Sequence, residues 1–147
     1  MLFQRINRTD PEKIYMIVKA DGGGLMVGRP VCFHFTGTDD GLLGSLADAP
    51  TDGTSVVGIA NAAIAAGDYG LVQCYGYRTD CQFLGASNFA ADCGAIMAVA
   101  SASSGFLSQS VSLGAITGVQ PSFVYAISAS TALSAGLQTG AMFIRCM

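Results

Sequence analysis

Residues 56–78 read VVGIANAAIAAGDYGLVQCYGYR, and this stretch decides the predicted fold. Two apolar runs flank the sequence Gly-Asp-Tyr-Gly at 67–70, where the chain must reverse tightly because glycine supplies the positive φ angles that turns require. Asp68 has no neighbouring carboxylate or histidine in the sequence, so it does not indicate catalysis. We therefore predict a structural turn formed by Gly67, Asp68, Tyr69 and Gly70, with the Tyr69 ring packed.

Strand signals recur on both sides of this turn. Short apolar segments separated by Gly, Asn, Asp or Ser follow one another about every 8–12 residues, which is typical of an all-β sandwich or barrel. We predict strands at Ile14–Ala20 and near 25–35, 55–60, 62–66, 71–77, 80–85, 95–101, 106–113, 122–127 and 140–146. Pro30 implies an edge position or a bulge. Residues 42–49, stopped by Pro50, are the best candidate for a short helix.

The length of 147 residues favours one domain. Residues 1–13 are predicted to form an arm, and residues 14–147 a single β-rich domain with an internal boundary near 50–54, where the charge content falls. The predicted fold class is therefore all-β, a small β-sandwich or barrel-like domain with an extended N-terminal arm.

Charge is sparse beyond that boundary. Residues 53–147 contain only five charged side chains, although about a quarter of the residues of an average soluble domain are charged. A Ser/Thr/Gly-rich solvated surface explains this, and so does burial against other copies or a partner, because interface cores are depleted in charge.

The overall balance is acidic, with a net charge of −3, which argues against a nucleic-acid partner. Residues 1–19 alone carry a net charge of +2, which suits docking on an acidic protein surface or an ordinary solvated terminus. No secretory signal is visible, and the apolar runs are shorter than the roughly 20 residues that span a bilayer. We expect no membrane partner.

Candidates for chemistry are few. Cys32 and the single histidine, His34, share one face of a predicted strand, but a histidine beside a buried thiol explains them better than a catalytic pair. Four loop aspartates lack the spacing of a calcium site and are expected to be solvated: Asp39, Asp40, Asp48 and Asp52. We predict no catalytic residue, no metal site and no cofactor.

The cysteine number is odd, and the spacing matches no zinc site. Free, buried thiols are the expectation for all five: Cys32, Cys74, Cys81, Cys93 and Cys146. If residues 78–80 formed a turn, Cys74 and Cys81 would face each other across a hairpin, and this is the one disulfide that the sequence suggests.

Several small-residue motifs resemble those of tailed-bacteriophage capsid decoration proteins, also called cement or head-stabilising proteins. They are GIA at 58–60, IAAGDYGLVQ at 64–73, AADCGA at 90–95, ASTALSAG at 129–136 and MFIR at 142–145. The resemblance covers about residues 55–147. The segment Asp92-Cys93-Gly94 departs from the Gly-Asp turn usual in the family.

The resemblance implies a non-enzymatic, β-rich virion protein, a homotrimer on the capsid exterior that bridges major capsid proteins and stabilises the DNA-filled head. Candidate capsid contacts lie in the arm: Phe3, Arg5, Arg8 and Lys13. The alternatives are another virion component, such as a head fibre base or a tail or adsorption protein, and a small enzyme using Cys32 and His34.

Overall fold

The computed structural model describes residues 12–34, 43–47, 56–85, 96–99, 107–109, 124–126 and 136–146, with the backbone alone at 84–85, 96–99, 107–109, 124–126 and 136–138. These residues form strands and no helix. In chain order the strands are β1 (Ile14–Ala20), β2 (Pro30–Phe33), β3 (Leu43–Leu46), β4 (Val56–Ala60), β5 (Tyr69–Gly85), β6 (Ile96–Val99), β7 (Leu107–Gln109), β8 (Val124–Ala126) and β9 (Gly136–Arg145).

Strands β1 to β5 close into a five-stranded barrel. β1 and β3 are parallel, whereas β3–β2, β2–β4, β4–β5 and β5–β1 are antiparallel neighbours. Closure pairs every strand of this circuit on both sides, which removes the free edges at which sheets aggregate. The prediction of an all-β domain is confirmed in its barrel form.

Strand β5 extends well past the barrel, since it spans 17 residues. Its first part pairs with β1 and β4, and its second part pairs with the extra strand β9, from Tyr75 opposite Arg145 to Gly85 opposite Gly136. Further backbone pairings join β5 to β7, β7 to β6, β6 to β8 and β8 to β9. The separate strands predicted at 71–77 and 80–85 are therefore one strand, and the turn considered at 78–80 is wrong.

The barrel core consists of aliphatic side chains from four strands. Val18, Val31, Ala60 and Val72 each have no exposed surface, and each buried valine side chain contributes about 1.5–3 kcal/mol by leaving water. In β1 the inward side chains alternate with exposed ones, as the period of two requires. This alternation is the pattern from which Ile14–Ala20 was predicted, and those bounds are confirmed.

The helix predicted at 42–49 is wrong, because β3 occupies Leu43–Leu46. The reason lies at Gly44, where a Cβ would collide with Val18 and would lie 3.0 Å from Cγ1 of Val31. Gly44 thus lets β3 approach the side chains of β1 and β2 closely. Tertiary packing of this kind overrides the weak local preference for a helix.

Two strand predictions in the first half were too long. Of the described residues 25–34, only Pro30–Phe33 form a strand, and within 62–66 only Ile64 is paired, through an isolated bridge to Leu25. Pro30 does not lie on an edge strand, since β2 lies between β3 and β4. Pro30 is not at a bulge either, because it pairs in register with Ile59 as the first residue of β2, and the β2–β4 register shifts only after Val31.

The backbone of β5 is distorted at Gly76, which has a φ of +104°. A Cβ there would collide with the carbonyl oxygen of Glu12, so the segment leading into β1 lies directly against β5 at this point. The β1–β5 register shifts next to this contact, between Ile14 and Tyr15. The predicted arm at 1–13 lies outside the described residues except for positions 12 and 13, and the boundary near 50–54 lies wholly outside them.

Candidate interaction surface

The outer face of the β1–β5 pair carries four large apolar side chains that contact solvent. The antiparallel register places Ile17 opposite Leu71, and the side chains are 60% and 46% exposed. Tyr15 and Tyr69 continue the same face at 38% and 61% exposure. We call Tyr15, Ile17, Tyr69 and Leu71 the apolar face. Because scattered single hydrophobes are normal on a surface but contiguous ones mark interaction sites, this is the strongest candidate site among the described residues.

The cation Lys19 borders the apolar face. Lys19 is paired with Tyr69 across the strands, and its ammonium lies 5.9 Å from the centre of the tyrosine ring. That distance is within the range of a cation–π contact, which contributes about 0.5–1 kcal/mol at exposed sites. The Tyr69 ring is therefore oriented by Lys19 but is not packed, and the expectation that it packs is wrong for this chain.

A shallow depression of about 280 Å³ adjoins the apolar face. The connection between β4 and β5 forms one side, at Asn61–Ala65, and the start of β5 forms the other, at Tyr69–Leu71. Most of its lining side chains are small, so a partner's side chain could insert beside the Tyr69 ring. The apolar face therefore has a concave region beside it as well as exposed hydrophobic side chains.

The turn before β5 holds this site in place. Gly67 has a φ of +81°, its N–H donates to the Ala20 carbonyl at 2.9 Å, and Asp68 donates to the Ala65 carbonyl at 3.0 Å. Gly67 and Asp68 therefore lie in a turn, as the sequence indicates, whereas Tyr69 and Gly70 already belong to β5. The hydrogen bonds tie the turn to the end of β1 and so fix the register of the apolar face.

Of the predicted capsid-contact residues, only Lys13 belongs to the described part of the chain. Phe3, Arg5 and Arg8 lie outside the described residues, whereas Lys13 is exposed immediately before β1. Lys13 directly precedes β1, the strand that carries Tyr15 and Ile17 of the apolar face.

The candidate Cys–His pair lies at the end of β2. Cys32 is 4% exposed, and its sulfur lies 3.2 Å from the Ser45 hydroxyl and 3.7 Å from the Ser45 carbonyl oxygen on β3. The His34 backbone N–H donates to the Leu43 carbonyl at 2.9 Å. The observed thiol contacts are those of a buried cysteine that packs between two strands.

An ion pair on β5, between a buried cation and a half-exposed anion, was not predicted from the sequence. Arg78 is 4% exposed, its Nη2 donates to Oδ2 of Asp80 at 2.9 Å, and its Nε lies 2.7 Å from Oδ1 in an ion-pair contact outside hydrogen-bond geometry. Asn61 accepts two longer bonds from the guanidinium, each at 3.4 Å. Arg78 and Asp80 are two residues apart, so both side chains lie on one face if the segment is a strand. This spacing is the sequence feature that could have predicted the ion pair.

The described cysteines Cys32, Cys74, Cys81 and Cys146 are free. The suggested Cys74–Cys81 disulfide is wrong, because seven steps along one extended strand separate the two by roughly 20 Å at ~3.3 Å per residue. Burial raises the pKa of the Cys81 thiol to about 12, with Arg78 opposing and Asp80 reinforcing the shift. Burial likewise raises the pKa of Cys74, against a smaller effect of the Met16 backbone. The neighbour of Cys74 is Cys146 rather than Cys81.

The described part of the chain contains neither a cluster of metal-ligating side chains nor a membrane-spanning helix. There, no three His, Cys, Asp or Glu side chains are grouped as a metal ion requires. Asp39, Asp40, Asp48 and Asp52 lie outside that part. No helix among the described residues has the length and apolar character needed to cross a bilayer.

The chain was compared with protein-family models, with curated proteins and with solved structures, and none of the three comparisons found a match. The apolar face and the sequence motifs are therefore the features that indicate a function.

Proposed function

We propose that this chain is a non-enzymatic structural protein of a tailed-phage head, which binds the outer capsid surface and cements neighbouring major capsid proteins. The observation that carries the proposal is the apolar face, whose four large side chains are exposed on the rigid β1–β5 pair. The motifs at 58–73 that resemble decoration proteins form β4, the turn and the start of β5, so they build and border this face.

The apolar face suits assembly better than catalysis. Apolar and aromatic side chains supply most of the binding free energy of protein interfaces, and Tyr is among the residues enriched at their centres. Many weak copies on one shell bind with high avidity, so a small face on each copy is sufficient. The buried Cys32 thiol, in contact with Ser45, also favours a structural role over the Cys–His enzyme.

The predicted arm extends the same contact. Residues 1–19 carry a net charge of +2 on an otherwise acidic chain, and they lead directly into the strand that bears Tyr15 and Ile17. We assign Phe3, Arg5, Arg8 and Lys13 to the rim of the capsid contact, where charge steers association. The homotrimer on the capsid exterior completes the proposal and accounts for the few charges in residues 53–147.

The test is to add purified protein to phage heads assembled without it and to measure binding and the thermal stability of the shells. We expect binding and a raised shell-opening temperature. Ile17→Thr combined with Leu71→Thr should abolish both while the barrel stays folded, because threonine keeps β propensity. Met26→Thr is the matched control, since Met26 is 48% exposed but lies outside β1 and β5. Failure of the unaltered protein to bind any shell would refute the proposal.

A further inference from the structure

Cys74 and Cys146 are direct neighbours on adjacent antiparallel strands. The last register pair of β5 and β9 is Tyr75 opposite Arg145, which places Cys74 opposite Cys146 one step further on. The Cys146 N–H donates to the Cys74 carbonyl at 2.9 Å and confirms this pairing. Directly opposed residues of an antiparallel pair extend their side chains on the same face of the sheet. The two thiols therefore face each other across strands that are far apart in the chain.

The backbone spacing at this position suits a disulfide. Opposed residues in a hydrogen-bonded antiparallel pair have Cα atoms about 5.5 Å apart, and disulfides span Cα separations of about 4.4–6.8 Å. The two sulfurs also interact electrostatically, since Cys74 adds to the effect of burial in raising the pKa of Cys146 to about 12. Both cysteines are free in the structure, which represents the reduced state.

The two thiols differ in access to solvent. Cys74 is 5% exposed, and its sulfur contacts the Val72 carbonyl oxygen at 3.5 Å, whereas Cys146 is partly exposed after the end of β9. An oxidant in solution therefore meets Cys146 first. Cys74 is more deeply buried and lies next to Cys146. It is therefore placed to attack a mixed disulfide on Cys146 and to release the oxidant's sulfur.

We propose that Cys74 and Cys146 form an oxidisable pair that closes as a disulfide between β5 and β9 when the protein meets a disulfide oxidant. The Cys146 thiolate attacks a sulfur of glutathione disulfide, forms a mixed disulfide and releases one glutathione thiolate. The Cys74 thiolate then attacks the Cys146 sulfur and releases the second glutathione. The protein loses two protons and two electrons, and the glutathione disulfide is reduced by the same two electrons.

The bond would join two strands separated by most of the second half of the chain. Cross-linking a long loop restricts the unfolded state, which stabilises the folded one. The inference does not depend on the proposed function. A protein that leaves a reducing cytoplasm on a released particle would nevertheless meet the conditions that close this bond.

The test uses the folded full-length chain, prepared reduced and incubated with glutathione disulfide. Free thiols are then alkylated, and intact mass and proteolytic peptides are measured. We expect two fewer alkyl groups than on the fully reduced protein, a mass about 2 Da below that of the corresponding chain with two unmodified thiols, a peptide pair linking Cys74 to Cys146 and a higher thermal unfolding midpoint. Cys81→Ser is the matched control and should form the same link, because Cys81 lies elsewhere on β5.

Two single variants separate the steps. Cys74→Ser should stop at a stable glutathione adduct on Cys146, and Cys146→Ser should form neither that adduct nor the link. Cys146→Ala repeats the second arm with a different side chain. Full recovery of Cys74 and Cys146 as alkylated thiols from the unaltered protein would overturn the inference, and so would a link from either residue to another cysteine.

Discussion

Arg78 and Asp80 form an ion pair between a buried cation and a half-exposed anion on the same strand. The guanidinium donates to Oδ2 of Asp80 at 2.9 Å, and the two side chains are 4% and 53% exposed. Removing one partner of a buried pair is costly because the other charge is left without compensation. The pair also anchors β5 to the β4–β5 connection, since the same guanidinium contacts Asn61.

Replacement of Asp80 by asparagine should therefore destabilise the barrel. We expect Asp80→Asn to lower the free energy of unfolding by about 1–2 kcal/mol, less than for a fully buried pair because solvent screens the carboxylate. Asp68→Asn is the matched control, because Asp68 is an exposed turn residue on the same hairpin. Chemical denaturation of both variants measures the difference, and equal effects would contradict a stabilising role for the pair.

A second prediction compares two glycines with positive φ. Both Gly67→Ala and Gly76→Ala introduce a side chain in the left-handed region, at a cost of about 1–2 kcal/mol. At Gly67 the added Cβ meets open space, whereas at Gly76 it collides with the Glu12 carbonyl. Thermal unfolding should show the larger loss for Gly76→Ala. If the two losses were equal, residues 12 and 13 would not be held against β5 in solution.

Much of the barrel could be predicted from the sequence. Alternation in Ile14–Ala20 and the glycine at 67 identified β1 and the turn before β5, because each is determined by nearby residues. Residues 43–46 could not be assigned correctly, because the small size of Gly44 has meaning only once Val18 lies against it. The continuity of β5 through 78–80 was missed for a related reason, since β9 pairs with β5 on both sides of an irregularity between Arg78 and Cys81.

The candidate site was harder to foresee. Exposure of Ile17 and Leu71 follows from the face that each strand turns outward, and the sequence gives no register between distant strands. The approach of Cys146 to Cys74 is hidden in the same way, because it depends on how β9 pairs with β5. Short-range patterns therefore located the turn beside the site, whereas long-range pairing determined which side chains meet.

A third prediction concerns alkaline pH. The Cys81 thiol has an ordinary pKa of 9.0, and burial raises it to about 12 in the folded chain. Between these values the unfolded chain releases a proton that the folded chain keeps, so stability falls as the pH rises, by up to about 1.4 kcal/mol per pH unit. Well below pH 9.0 the thiol keeps its proton in both states, so the contribution of Cys81 to the free energy of unfolding does not change with pH. Cys81→Ala should flatten the fall in urea titrations, and a variant curve parallel to the unaltered protein would contradict the assignment.

The last prediction tests the arm against the fold. Deleting residues 1–11 should weaken binding to phage heads strongly and change the free energy of unfolding by less than about 0.5 kcal/mol, because residues 12 and 13 still cover Gly76. Within the arm, Arg5→Glu with Arg8→Glu should slow association and reverse its salt dependence, because the net charge of residues 1–19 becomes −2 and salt then screens a repulsion from the acidic surface. Arg145→Glu is the control, as Arg145 is exposed on β9. Titration of labelled protein onto shells and urea unfolding measure the two quantities, and parallel losses in both would show that the segment supports the fold rather than docking.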